Sequence, residues 1–325
     1  MPDPTLPAEF ALIARHFRPL AGPGALDLGD DAALLIPPPF RDLVLTVDAM
    51  VAGVHFLPDD PADLVGRKLL RVNLSDLAAK GATPLGYLMT VSVPRGTPDA
   101  WLAGFAAGLA ADQAEFAITL LGGDTTSTPG PISLSLTAVG HVAPGRMVRR
   151  TGSRAGDGIW VTGTIGDGAL GLAVAQGRLG DPTGHLLDRY RLPRPRLGVP
   201  IAGIASAGMD VSDGLVQDLG HLCRAARLGR AAGLQAEIEA ALVPLSDAAR
   251  AAGPDWLATC LTGGDDYELL LAVPPAREAA LQQAAQAAGI PVTRIGSFRL
   301  GAPGVMVRDA GGQPISFDRP GWSHF

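Results

Sequence analysis

Aspartate recurs in this chain where the backbone turns tightly or a strand ends. Asp30 and Asp31 lie in "LGDDAALLIP", Asp48 in "LTVDAM", Asp76 in "NLSDLAAKGA" and Asp124 in "LLGGDTTS". Asp210 and Asp213 lie in "MDVSDGL", and Asp265 and Asp266 in "TGGDDYEL". Glycine allows close approach by a ligand, and loops at strand ends are common positions for functional groups. Carboxylates without a matching set of His or Cys select a hard cation, Mg²⁺ ahead of Zn²⁺. Mg²⁺ keeps several waters and binds few carboxylates together with substrate phosphates, so this many acids implies several ions and a phosphate-rich ligand. The pair Asp30–Asp31 runs straight into apolar residues, which reads as a core boundary, and a bound cation would offset its self-repulsion. The competing reading makes each Asp a turn former or helix N-cap. Asp31, Asp48, Asp76 and Asp124 fit that reading less well as a set, because three of the four abut strongly apolar segments.

Other phosphate chemistries lack their motifs. There is no G-x-x-x-x-G-K-[ST], no H-R-D or D-F-G, no G-x-S-x-G and no H-E-x-x-H. "VTGTIGDGALGL" does carry Gly166, Gly168 and Gly171 in G-x-G-x-x-G order, with Asp188 about 20 residues on, as a dinucleotide site requires. Asp188 falls in "HLLDRYRLP", however, which reads as helix, so ordinary strand–turn–helix packing is the expected use of these glycines.

The elements that must position the acids read as mixed α/β. Helices are expected over 8–18, 60–82 and 98–116, and strands over 42–51, 85–94, 117–124 and 131–142. The segment 142–157, rich in Gly and Arg, is the expected boundary between domains 1–148 and 149–325. Beyond it come the strand "GIWVTGTIG", the helix "GALGLAVAQG" and "AGMDVSDGLVQDLGHLCRAA", a turn entering a helix over 213–226. The strand 267–274, the helix 275–289 and the strand 292–299 complete the second half.

The 325 residues are 47% hydrophobic and 18% charged, enough for two ordinary domains. A net charge of −6 argues against nucleic acid as a partner. Apolar stretches break before about 18 residues and the N-terminus does not read as an export signal, so no membrane association and a cytoplasmic location are expected. Cys223 and Cys260 are then expected as reduced core residues.

In this order, "GDDAALL", "TVDAMVAGVHF", "NLSDLAAKGA", "LGGDTT", "RRTGSRAGDGIWVTG", "DVSDGLVQDLGH", "TGGDDYELLL" and "GWSHF" resemble the thiamine-monophosphate kinase family, over about residues 8–325. That family lies in the superfamily of aminoimidazole ribonucleotide synthetase, selenophosphate synthetase and a hydrogenase maturation protein. The resemblance implies the two-domain aminoimidazole ribonucleotide synthetase-like α/β (α+β) fold: an N-terminal mixed sheet with helices, and a C-terminal α/β domain closing the active site. It implies transfer of the γ-phosphate of ATP to thiamine monophosphate, giving thiamine diphosphate, with several Mg²⁺ ions, in a homodimer whose N-terminal sheets pair. Matched position by position, Asp31, Thr46, Val47 (through its carbonyl), Asp48, Asp76, Asp124, Asp210 and Asp213 hold metal. Gly123, Asp124, Arg150 and Ser212 contact ATP, and His55, Asp265 and Trp322 lie on the thiamine side. No dedicated catalytic base is implied, since the acceptor phosphate is already ionised. The family often has Glu where Asp265 stands, and Tyr where Phe116 and Trp322 stand; Trp322 keeps a flat surface for a cationic thiazolium ring.

Blander uses compete at several positions. His55 in "VAGVHFL" reads equally as a core histidine, Trp322 as a pin for the C-terminal segment, Arg150 as a solvated linker charge, and Ser212 as a helix N-cap. Lys68 and Lys80 read as surface or packing residues. Among whole functions, the rivals are another ATP-using superfamily enzyme, aminoimidazole ribonucleotide synthetase-like, and a non-catalytic nucleotide-binding regulatory module. Selenophosphate synthetase would want a Cys near the N-terminus, and the hydrogenase protein one at the C-terminus; the chain has neither.

Overall fold

The computed structural model describes residues 8–226 and 233–323. The motif residue His324, with Phe325, lies outside them. The chain divides into two compact units, residues 1–77 with 82–145, and 78–81 with 146–325. Among the described residues no helix is long and apolar enough to cross a membrane.

The first unit contains α1 (Ala8–Leu12), β1 (Asp42–Val51), α2 (Ala62–Ala79), β2 (Thr83–Pro94), α3 (Asp99–Phe116), β3 (Thr119–Thr128) and β4 (Ser133–Val142). Its sheet runs β1-β4-β2-β3, with β2 and β3 parallel and the other pairs antiparallel. Strand alternation gives two unlike faces. Val44, Met50, Tyr87, Met89, Val91, Leu134, Leu136 and Ala138 are buried on one face, and Thr46 and Asp48 share their rows. The opposite face of β1 leaves apolar side chains in the open, Leu45 at 64% and Val47 at 61% exposure. The helices are tied by ions: Arg67 and Arg71 on α2 both donate to Asp112 on α3, at 2.8 and 2.6 Å, inside a buried network.

The second unit contains β5 (Gly158–Thr162), α4 (Asp167–Ala175), α5 (His185–Arg191), β6 (Ala207–Asp210), α6 (Leu215–Ala226) and β7 (Leu234–Glu239). It continues with α7 (Asp247–Ala251), α8 (Leu257–Thr262), β8 (Leu269–Val273), α9 (Glu278–Ala287), β9 (Val292–Leu300), β10 (Gly304–Arg308) and β11 (Pro314–Ile315). The sheet order is β11-β10-β7-β9-β5-β8-β6. On α6, Leu215, Leu219, Leu222, Cys223 and Ala226 recur at helical spacing and pack with Ile159, Met209, Ile238, Leu270 and Phe298 in one core. Both cysteines are free and buried.

Two local expectations change. The apolar run after Asp31 is not a core edge: Ile36 is 79% and Phe40 89% exposed. The helix after Asp213 begins at Leu215, which leaves Ser212 three residues ahead of it and not its N-cap.

Candidate functional site

In the first unit, strand and helix periods bring three of the candidates together. Thr46 and Asp48 are two apart on β1 and share a face; Asn73 and Asp76 are one turn apart on α2. The Thr46 hydroxyl donates to Asp76 Oδ2. The backbone N–H of Asp48 donates to Asn73 Oδ1 at 3.2 Å, and Asn73, fully buried, donates to the Leu69 carbonyl. Asn73 was not among the expected residues, although "NLSD" places it on the face of Asp76. Val47 lies between Thr46 and Asp48, its side chain on the open apolar face.

Asp31, Gly123 and Asp124 meet elsewhere, around a cleft of about 150 Å³ that Asp30 also lines. The loop delivering the acid pair is strained: Leu26, Asp27 and Leu28 have φ of 51°, 59° and 54°. Such conformations persist where surrounding structure holds them, and cluster at functional sites. Here the Leu34 amide closes the loop on the Gly24 carbonyl at 2.8 Å. Asp124 is on β3, the edge strand opposite β1. Three strand spacings, roughly 14 Å along the sheet, separate these edges. One ion cannot bridge Asp48 and Asp124 over that span.

His55 sits in a turn that it helps to build. Its Nδ1 accepts the Val51 N–H at 3.0 Å, which places the proton of the neutral ring on Nε2. Lys68, buried, donates to the His55 carbonyl at 3.1 Å, so this lysine is a packing residue. Phe116 lies under the Arg71 guanidinium, 5.2 Å from its ring centroid.

In the second unit the candidates gather on one loop. Asp210 ends β6 and is buried; Val211, Ser212, Asp213 and Gly214 lead into α6. The Ser212, Asp213 and Gly214 amides all donate to one oxygen, Asp218 Oδ2, at 3.1, 3.0 and 3.2 Å. The loop carbonyls are used as well. Val211 accepts from the Tyr267 amide at 2.8 Å, Ser212 from Asp265 at 2.9 Å and Asp213 from Trp322 at 2.9 Å. Gly214 has φ 119°, and a Cβ there would meet the Thr262 carbonyl oxygen at 2.5 Å, so only glycine fits. Trp322 pins the chain through its backbone while its side chain leaves the residue 52% exposed, so the two readings of this residue are compatible. Arg150, in a short 3-10 turn, is exposed.

Asp218 is 1% exposed, and burial, then the charges of Asp213 and Asp210, push its pKa up to about 8 against the pull of the backbone amides. Its other oxygen is buried with no hydrogen-bond partner among the described residues. Ligand atoms of Asp213, Asp218 and His221 lie within 4.8 Å of one another. Burial, with the charges of Arg224 and Arg150, holds the His221 imidazole below its usual range. The charges of Asp210 and Asp213 beside Asp218 are the electrostatic setting a divalent cation relieves, and it is the carboxylate oxygens here, not the His221 nitrogen, that suit Mg²⁺. Asp218 and His221 were not expected. The only signal was an acid in the first turn of α6, which reads equally as a macrodipole partner.

The glycine motif at 166–171 binds protein. The Gly166 and Gly168 amides donate to Asp266 Oδ2 and Oδ1, at 2.7 and 3.0 Å, and a Cβ on Gly168 would meet the Asp265 carbonyl oxygen at 2.2 Å. Asp266 is fully buried, and burial drives its pKa well above the usual carboxylate range. Asp188 is on α5, not at a strand end. The Asp266 anchor lies between two residues of positive φ, Asp265 at 71° and Tyr267 at 51°.

Residues 29–142 match the AIR synthase related protein, N-terminal domain, and residues 154–302 the corresponding C-terminal domain. A thiamine-monophosphate kinase of Caulobacter vibrioides is 45% identical, the match covering 98% of this chain and 91% of that protein. A crystal structure of thiamine-monophosphate kinase from Stenotrophomonas maltophilia K279a has 39% identity and a TM-score of 0.80, over 92% of this chain and 96% of that one. The structure of AaThiL complexed with AMPPCP and TMP has 29% identity and a TM-score of 0.75, over 99% and 100% of the two chains. The chain belongs to the AIR synthase related family and, within it, to the thiamine-monophosphate kinases.

Proposed function

We infer that this protein transfers the γ-phosphate of ATP to thiamine monophosphate, forming thiamine diphosphate and ADP. The observation that carries this reading is the likeness to thiamine-monophosphate kinases over nearly the whole chain. A phosphate oxygen of the acceptor attacks the γ-phosphorus in line, and the bond to the β–γ bridging oxygen breaks. Bringing two anions together is the difficulty, so positioning and charge neutralisation supply the rate. Asp31, Thr46, Val47 through its carbonyl, Asp48, Asp76 and Asp124 in the first unit, and Asp210 and Asp213 in the second, would hold Mg²⁺. Bound Mg²⁺ supplies positive charge to the phosphates of both substrates. Gly123, where a Cβ would collide with the Met89 carbonyl, offers its backbone to the nucleotide, Ser212 offers a hydroxyl, and Arg150 offers a planar fork of donors for phosphate. His55, Asp265 and the flat ring of Trp322 receive the thiamine side.

The same reading makes the protein a cytoplasmic homodimer, with the expected domain 1–148 carrying dimerisation. Support for the dimer is the uncovered apolar face of β1, where Leu43, Leu45 and Val47 stand together with Leu88 of β2; a second copy of the sheet fits such a face. The test is ADP release from ATP and Mg²⁺ with and without thiamine monophosphate. Release that rises with thiamine monophosphate is expected; a rate indifferent to it sinks the assignment.

A further inference from the structure

Three consecutive amides of the 211–214 loop, those of Ser212, Asp213 and Gly214, converge on the Asp218 carboxyl, while the Val211 amide donates to the Glu268 carbonyl. The carbonyls of Val211, Ser212 and Asp213 receive the amides of Tyr267, Asp265 and Trp322, and that of Gly214 receives the Asp218 amide. Gln217, one residue before Asp218, donates to the Trp322 carbonyl. One short loop thus carries Ser212 and Asp213 on its own chain and holds the backbones of Asp265 and Trp322.

We propose that Asp218 is a positioning residue that sets the 211–214 loop and, through it, couples the nucleotide end of the site to the acceptor end. The inference rests on the functional reading above, in which Ser212 and Asp213 serve ATP and its metal, and Asp265 and Trp322 serve thiamine monophosphate. A loop held by one buried acceptor beneath three consecutive amides cannot move one amide without moving the others. The segments hung on its carbonyls move with it. Asp265 and Tyr267, both at positive φ, would not keep that conformation unaided; their amides are fixed by the Ser212 and Val211 carbonyls. Because a single oxygen, Oδ2, takes all three amides, an asparagine presenting its carbonyl oxygen there would preserve the arrangement, whereas alanine removes it.

The test compares wild type, Asp218→Ala and Asp218→Asn by steady-state kinetics, with circular dichroism to establish that each is folded. For Asp218→Ala, KM for ATP and KM for thiamine monophosphate should both rise by about tenfold or more, and Asp218→Asn should bring both back to within about threefold of wild type. A merely structural role would lower the melting temperature and leave both constants unchanged, which overturns the coupling, as does a rise in only one of them. Hydrogen exchange on the wild type decides the matter if Asp218→Ala does not fold. Thiamine monophosphate alone should slow exchange of the 212–214 amides, and a non-hydrolysable ATP analogue alone should slow the Asp265 and Trp322 amides. Protection confined to each ligand's own side refutes the proposal. Wild-type ADP release that ignores thiamine monophosphate removes the functional reading itself, and this inference with it.

Discussion

The carboxylates of this chain differ in how far the protein itself uses their oxygens. Asp266 and Asp218 are buried and accept backbone amides, so they hold structure. Asp31 and Asp124 face a cleft, and Asp76 accepts only the Thr46 hydroxyl among the hydrogen bonds identified for it, so these have lone pairs to offer a cation. Asp76→Asn keeps an oxygen for Thr46 and removes the charge. Turnover should fall by about 100-fold or more while the melting temperature stays within about 3 °C of wild type; kinetics beside a thermal melt checks this, and undiminished turnover would remove Asp76 from the metal site. The raised pKa of Asp218 carries a sign. Its folded value of about 8 exceeds that of an unfolded carboxyl, so its contribution to stability is full below the ordinary carboxylate range and is lost as pH climbs toward about 8. The metal-free protein should therefore melt at lower temperature at about pH 8.5 than at about pH 6, more steeply than Asp218→Asn, with added Mg²⁺ reducing the loss. A melting temperature independent of pH over that window contradicts this. Burial likewise raises both thiols, that of Cys260 to about 12. Since the thiolate is the nucleophile, neither should react with iodoacetamide at about pH 7.5 until the protein is unfolded, as mass spectrometry of the alkylated protein would show.

At the scale of elements, sequence pattern was most legible where a residue's neighbours in the chain are also its neighbours in space. The β-branched run 42–51 reads as a strand, and β1 has those bounds. "LQAEIE" at β7 is built from helix formers with one β-branched residue, and its strand state comes from pairing with β9 and β10, which no local signal announces. The same limit hid Asp266. Its role depends on amides 98 and 100 residues away, so the acid beside it attracted the functional reading while this one capped α4. The acids of "MDVSDGL" were legible as a group; the convergence of their amides on Asp218 was not. The two anchors should respond differently to the same substitution. Asp266 uses both oxygens as acceptors, so Asp266→Asn sets an N–H against an N–H and, like Asp266→Ala, should destabilise the fold by about 2–4 kcal/mol in urea unfolding. Asp218 uses one oxygen, and Asp218→Asn should cost under about 1.5 kcal/mol. Equal costs at the two positions would show that the acceptor geometry is not what matters.

At the scale of the whole molecule, Val47 belongs to two arguments at once. Its carbonyl is a candidate metal contact and its side chain stands on an open apolar face with Leu45, in the strand that carries Thr46 and Asp48. If a second copy covers that face, assembly and metal binding share one strand, and disturbing either should disturb both. The double substitution Leu45→Glu and Val47→Glu places two charges on the proposed contact and leaves the helix-covered face, with Thr46 and Asp48, unaltered. Wild type should elute as a dimer in size-exclusion chromatography with light scattering. The double variant should elute as a folded monomer, because two buried like charges per subunit cost far more than a dimer interface recovers. Its turnover should fall with the loss of the dimer and recover in part at high protein concentration, where mass action restores pairing. A wild type that scatters as a monomer, or a monomeric variant as active as wild type, would separate the apolar face from the chemistry and leave β1 with its candidate metal contacts alone.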